Sequence, residues 1–437
     1  MRDLWDNLPL WLQDAASVLA LLAPLLVLAL WLLRGFAPWP LVRALLARFR
    51  WTNALFVGLI AVSVAMGIGL LAQERGLRAA SARAADKFAL VVAAPGSEMT
   101  LLLATVFLQP SDVALLDGET FGRIAGTENV EIAAPLAFGD SYHGAPVVGT
   151  VAGFVSYLAE GRIEGRIWED HDEAVVGASV ALEIGAVFSP AHGHGAGAED
   201  DAHDHSRLRV VGRMAPTGTP WDRAVLIPVE AVWEVHGLAN GHAPQDEEAL
   251  GPPFDPAYFP GTPAVVVKAS ALWANYALRD SFTETGRSMA FFPATVLTQL
   301  YAVMGDVRQA MSLMAAVTQV LVAGAVLAGL LILSRLFRRQ IAMLRALGAP
   351  RRFVLAVVWG QASALLAAGT VLGVILGFGA AAGLSQVLSA RTDMQVRAVI
   401  GWDEIRLAAG FLSACSVLSL LPALAVLRGR ISEGLRG

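Results

Sequence analysis

The sequence predicts an α-helical membrane protein of about five transmembrane helices, with a large α+β domain outside the bilayer. Three observations predict it. The 437 residues are 56% hydrophobic and 16% charged, with a balance too apolar for an ordinary soluble chain. Five runs, approximately 16–33, 52–72, 311–334, 353–384 and 406–427, are long enough to cross roughly 30 Å of hydrocarbon, which takes about 20 helical residues. Arginine falls on one side of those runs: segments 34–50, 335–352 and 428–437 hold thirteen arginines against a single acid, Glu433. The positive-inside rule makes these segments cytoplasmic, the N-terminus external and the C-terminus internal, as five spans require.

Residues 1–35 form the first span. Its leading segment is acidic, and arginines follow the apolar run instead of preceding it, so it reads as a retained anchor and not as a cleaved signal peptide. Pro24 within it predicts a kink. Residues 36–50 are expected as a cytoplasmic basic loop and 51–73 as the second span. Residues 74–293 form the external domain, interrupted by a His/acid-rich insertion at 190–206. Over 73–310 there are thirty acids and fifteen basic residues, which argues against nucleic acid or anionic lipid as that domain's partner. Cys415, the only cysteine, lies in the last span, so the external domain must fold on its apolar core without a disulfide.

Inside that domain, Phe88–Ala94, Val130–Ala134, Pro146–Val151, Leu208–Val211, Ala224–Ile227 and Ala264–Lys268 read as short strands. Met99–Phe107, Ser111–Ala125, Ala174–Ile184, Val229–His236 and Ser270–Thr283 carry helical patterning. The mixture suggests an α+β domain of two lobes. From Pro293 only Gly305 interrupts the helical pattern, so 294–334 is expected as one stalk and transmembrane helix. Residues 335–352 form a cytoplasmic segment. The span 353–384 is longer than a bilayer needs and is expected to protrude, tilt or break near Gly377 and Gly379. An external loop at 385–405, a last span at 406–427 and a cytoplasmic tail at 428–437 complete the chain.

Four features carry candidate chemistry. In 335–352, six arginines surround Ile341, Leu344 and Leu347 at helical spacing, and Gly348 and Pro350 end the pattern. A short basic amphipathic helix there suits docking of a cytoplasmic partner; a topogenic arginine loop with no partner fits the same residues. All eight histidines lie in the external domain, four of them close together: His192, His194, His203 and His205, beside Glu199, Asp200, Asp201 and Asp204. Imidazole with carboxylate suits zinc, with His192, His194, His203, His205, Asp201 and Asp204 as ligands. A polar insertion with incidental histidines is the alternative. His171, His236 and His242 could join such a site in space, while His143 sits at a turn.

Gly369, Gly373 and Gly377 share one face of the fourth span, which allows close helix packing within the bundle or against a second protomer. The run 216–220, Pro-Thr-Gly-Thr-Pro, is a stiff turn before Trp221, Asp222 and Arg223. Absences matter too. No G-x-x-x-x-G-K-[ST], H-E-x-x-H or G-x-S-x-G motif occurs, which removes support for a built-in P-loop ATPase, a zinc protease or a serine hydrolase. The span interiors hold almost no ionisable residue, which weighs against a conventional ion channel.

The segment RRQIAMLRALGAPRRFV resembles the cytoplasmic coupling segment of FtsX/MacB-type ABC-transporter permeases, which typically carry an R-x-I/L-x-x-L-R-A-L-G-A signature. LVVAAPGSEMTLLLATVF, APLAFGDSYHGAPVVGT, VVGASVALEIGA, RVVGRMAPTGTPWDRAVLIPVEAVWEVHG and AVVVKASALWANYALRD are similar, in order, to the MacB-like periplasmic region of that family. The resemblance spans roughly residues 40–437. It implies a bacterial inner-membrane permease subunit with a periplasmic domain, no enzymatic activity of its own, and a cytoplasmic ABC ATPase partner that binds the ATP and magnesium. A second permease protomer, identical or paralogous, is implied as well.

In that setting Arg338, Arg339, Ile341, Leu344, Arg345 and Leu347 are the expected ATPase contacts, and the work is mechanotransmission. His/acid-rich insertions occur in a zinc-linked subgroup, which implies zinc acquisition or handling with a periplasmic metal-binding or substrate-binding protein. Lipoprotein or amphiphile extraction or efflux, and regulation of a cell-wall enzyme, are the alternatives. The family usually has four spans and a cytoplasmic N-terminus, so residues 1–35 are a departure from it.

Overall fold

The computed structural model describes residues 9–427 except 110, 193–206, 284–285, 337–342 and 393. It separates into a helical unit (Met1–Leu77, Asp306–Gln386, Arg397–Gly437) and a mixed α/β unit (Arg78–Gly305, Val387–Val396).

The helices that build the first unit are α1 (Leu10–Leu33), α2 (Trp39–Arg48), α3 (Arg50–Ala85), and four more whose labels follow those of the α/β unit: α9 (Pro293–Leu336), α10 (Arg351–Thr392), α11 (Trp402–Leu418) and α12 (Leu420–Leu427). By length and composition, four described stretches are apolar enough to cross a membrane: α1, α3, Arg351–Ala390 and Trp402–Leu424. The remaining expected run, 311–334, is helical as part of α9, where the described apolar stretch is Ala316–Gly329. Pro24 lies inside α1 without ending it.

Three features of this unit have physical causes. The expected basic loop 36–50 contains α2, because Val42, Leu45 and Phe49 give it an apolar face that packs beside Val354 and Gly360. α10 does not break at Gly377, since that glycine rests against Ala65 and Ile68 of α3 and the neighbouring helix fills the space of the missing side chain. The last apolar run divides at Ser419, where Pro422 has no N–H to offer the Leu418 carbonyl. The unit's core is Ile60, Val64 and Ile68 of α3 against Val326, Leu365, Leu366, Phe411 and Cys415.

Among the described residues, the α/β unit is built on eleven strands in the order β11-β1-β10-β2-β3-β9-β5-β8-β4, with β6 paired to β8 and β7 to β2. The strands are β1 (Leu90–Ala93), β2 (Val130–Tyr142), β3 (Ala145–Thr150), β4 (Ile163–Gly165), β5 (Glu173–Val176), β6 (Val187–Phe188), β7 (Ala191–His192), β8 (Leu208–Met214), β9 (Val225–Pro228), β10 (Ala264–Ala269) and β11 (Met289–Phe291). The helices are α4 (Glu98–Phe107), α5 (Gly118–Ala125), α6 (Ala152–Leu158), α7 (Val229–Val235) and α8 (Leu272–Phe282). Ser97 and Asp117 cap α4 and α5 by accepting from the Thr100 and Thr120 amides. The Asp117 carboxyl is held below its ordinary range by those Thr120 hydrogen bonds.

β2 is the central correction. The pattern suggested a strand ending at Ala134, before Pro135. Instead β2 runs on through Pro135, pairs with β10 from Val130 to Leu136 and with β3 from Ala137 to Tyr142, with a bulge at Gly139 inside the second ladder. The two expected lobes therefore share one sheet. His143 and Gly144, both at positive φ, close the β2–β3 hairpin as a two-residue turn. Ala174–Ile184 was expected as a helix, but Glu173–Val176 is β5, fully buried between β8 and β9. So short an apolar run does not distinguish a buried strand from a helix. Of Ser111–Ala125, only Gly118–Ala125 is helical. Trp221, fully buried, packs between Phe88 and Phe154 with ring centroids 5.7 and 5.6 Å away.

Candidate functional site

In the expected coupling segment, Arg338, Arg339 and Ile341 lie outside the described residues, whereas Leu344, Arg345 and Leu347 are described. Residues 343–346 are helical. The turn ends in a Schellman motif: the Ala349 amide donates to the Leu344 carbonyl (3.0 Å) and the Gly348 amide to the Arg345 carbonyl (3.1 Å). Gly348 takes φ +93°, which a side chain there would disfavour. Pro350 then opens α10, accepting from the amides of Phe353 and Val354. The result is a compact corner with Leu344 and Arg345 half-buried and Leu347 86% exposed. An apolar side chain so exposed beside arginines is an anchor suited to a partner surface.

The glycine stripe faces α3. A Cβ at Gly369 would meet the Ile60 Cβ at 2.6 Å, at Gly373 the Val64 Cβ at 2.7 Å, and at Gly377 the Ala65 carbonyl at 2.8 Å. At one end of the helical unit, Arg75 of α3 binds Glu404 (2.6 Å) and Asp403 (2.8 Å). Arg406 binds Asp403 (2.7 Å), Asp14 of α1 and the Ser17 hydroxyl. Pairing over so long a separation has no local signature in the sequence.

Of the proposed metal ligands, His194, Asp201, His203, Asp204 and His205 lie outside the described residues. His192 ends β7, its backbone paired across the sheet with Asp140. Asp140 in turn lies 3.7 Å from the Nε2 of His236, whose Nδ1 is 2.7 Å from the Val232 carbonyl. The insertion is thus rooted beside a buried carboxylate and a further histidine. Among the described residues, no three His, Cys, Asp or Glu side chains are gathered to hold a metal ion.

A second group lies under α7, which presents Glu230 and Glu234 one turn apart. His242 Nε2 is 3.6 Å from the Glu230 carboxylate, and His171 Nδ1 is 3.1 Å from Glu234. The turn carrying His171 is ordered by Glu173, which accepts from Arg166 and from the Glu169 amide (2.8 Å). The Arg166 hydrogen bond holds the Glu173 carboxyl below its usual range. A cavity of about 210 Å3 reaches His242 past Glu234, Glu247 and Tyr258.

Burial raises the Glu230 carboxyl above its ordinary 4.5, outweighing the Gly251 amide and the nearby imidazoles of His242 and His171. The folded chain therefore holds this proton more tightly than the unfolded one. The contribution to stability is complete below about pH 4.5 and falls as pH rises toward the folded value. Glu230→Gln keeps an oxygen for the Gly251 amide but has no proton to lose. Thermal melts of the full chain from about pH 4.5 to 7 should show a shallower pH slope in the variant than in the wild type. An unchanged slope would mean that Glu230 does not govern it.

The Pro-Thr-Gly-Thr-Pro turn is held by Asp222, whose carboxylate accepts from the amides of Thr217 (2.8 Å) and Gly218 (2.7 Å). The Gly218 carbonyl accepts the Gln395 amide (3.2 Å), and the Gln395 carbonyl accepts from Arg83 (3.1 Å). The turn therefore seats Gln395, just past the end of α10.

Residues 312–431 match the family model described as FtsX-like permease C-terminal. The matched stretch includes the 343–346 turn, the glycine stripe and α11. No curated protein matches the chain. Among solved structures, the chain is similar to the extracellular domain of the noncanonic ABC-type transporter YknZ from Gram-positive bacteria. That alignment covers 46% of this chain and 98% of that one, at 12% identity and a TM-score of 0.27.

Proposed function

We propose that this chain is the membrane-spanning permease subunit of an ABC transporter whose ATPase is a separate chain. The observation that carries this reading is the FtsX-like match over 312–431, with a Gly348-terminated turn inside it that displays Leu347 between two long helices. The sequence carries no P-loop motif, which supports placing the nucleotide chemistry in a partner. Affinity purification of the full chain from its native membrane should co-isolate a P-loop ATPase in near-stoichiometric amount. Isolation of the chain without one would count against the reading.

Mechanotransmission is the mechanism we favour. α3, α9 and α10 each continue unbroken through the residues at which the two units part, so a displacement at 343–347 has stiff elements along which to travel. In this reading the α/β unit is periplasmic, the membrane is the bacterial inner membrane, and a second permease protomer completes the transporter.

For the substrate we propose zinc acquisition or handling, supported by the imidazoles and carboxylates at 192–205 and by the Asp140–His236 pair at their root. Calorimetric titration of the purified full chain with zinc should give micromolar or tighter binding. Changing His192, His194, His203 and His205 to alanine should remove it. Deleting 191–205 should impair growth under zinc limitation while leaving complex assembly intact. Normal zinc-limited growth of the deletion would turn the reading toward extraction or efflux of an amphiphile.

A further inference from the structure

The helical unit holds a cavity of about 270 Å3 between α1, α2, α10 and α11. Leu25, Ala29 and Leu33 line it from α1, Trp39 from α2, and Trp359 and Ala364 from α10. Its surface is hydrocarbon but for Ser363 and Ser416, whose buried hydroxyl oxygens have no hydrogen-bond partner among the described residues. An apolar cavity of this kind stays dry.

The residues flanking the cavity are basic. Arg34 directly follows Leu33. Arg352 precedes Trp359 by roughly 10 Å along α10, at about 1.5 Å per residue. The Arg352 guanidinium lies 5.1 Å from the Trp31 ring centroid and 5.9 Å from that of Phe36, and its Nε has no hydrogen-bond partner among the described residues. No aspartate or glutamate occurs between residues 15 and 72 or between 307 and 392. Apolar volume, orphaned hydroxyls and unopposed positive charge thus lie within one acyl-chain length of each other.

We infer that this cavity is a binding site for an anionic phospholipid of the surrounding bilayer. One acyl chain fills the space between α1 and α10, an ester oxygen accepts from Ser363 or Ser416, and the phosphate sits between Arg34 and Arg352. The inference rests on the chain spanning a membrane and not on the identity of any transported substrate. It gives α1 a role: with Leu25, Ala29 and Leu33 it supplies one wall of the site.

Native mass spectrometry of the delipidated full chain in mild detergent, titrated with phosphatidylglycerol or phosphatidylcholine, tests it. The wild type should take up one phosphatidylglycerol at least tenfold more tightly than phosphatidylcholine. Ala364→Leu, which fills the cavity, should lower that affinity at least tenfold. Arg352→Gln leaves the cavity in place and should abolish the preference between the two lipids, so it decides the matter even if Ala364→Leu does not fold. Equal uptake of both lipids by the wild type, or a preference retained in Arg352→Gln, would overturn the site while leaving the permease reading intact.

Discussion

Leu347→Asp is expected to abolish association of the chain with the ATPase proposed as its partner. Leu347 is the most exposed apolar side chain of the 343–347 corner, and the Schellman turn behind it fixes its direction. A buried apolar anchor of this kind is worth about 3 kcal/mol at an interface, on the order of 100-fold in affinity. Aspartate adds the cost of desolvating a charge. Because Leu347 makes little internal contact, the variant should insert and elute as the wild type does, with only the co-purified ATPase lost. Leu238→Asp, at a half-exposed position in the α/β unit, should leave the complex untouched. Undiminished co-purification with Leu347→Asp would move the contact elsewhere on the chain.

Gly373→Leu is expected to destabilise the helical unit. Its Cβ would meet the Val64 side chain and, at 2.8 Å, the Ala61 carbonyl, which cannot move without moving α3. Overpacking of this type costs about 1–3 kcal/mol where side chains can yield, and contact with backbone places it at the upper end. Gly379 has nothing within 4 Å of its would-be Cβ, so Gly379→Leu on the same helix is the matched control. Thermal melts in detergent should separate the two, with Gly373→Leu melting several degrees lower. Equal melting would mean that α3 and α10 do not pack through the glycines.

Much of this architecture was legible from the sequence because local chemistry dictates it. Gly348 and Pro350 mark the end of the 343–347 turn, and the apolar runs and arginine blocks mark the long helices. The i, i+4 spacing of Gly369, Gly373 and Gly377 defines a helix face, although the sequence leaves open which partner faces it; that partner is α3. The misreadings come from tertiary context. Val175 and Val176 sit in a strand because β8 and β9 flank them, not because four residues carry a period. β2 continues past Pro135 because β10 and β3 pair with its two halves. The pairs Asp14–Arg406, Arg75–Glu404 and Glu230–His242 join residues far apart in the chain or across a turn. The Pro-Thr-Gly-Thr-Pro run was recognisable as a turn, yet its seat for Gln395 depends on a contact more than half the α/β unit away in sequence.

The most direct test of the central claim is photocrosslinking in living cells from a photoreactive amino acid placed at Leu347. The account predicts one dominant adduct, to a P-loop ATPase, whose yield changes when ATP is depleted and which is missing when the probe is placed at Leu238. An adduct to lipid alone, or to a protein without a P-loop, would contradict the assignment of this corner as the ATPase coupling site.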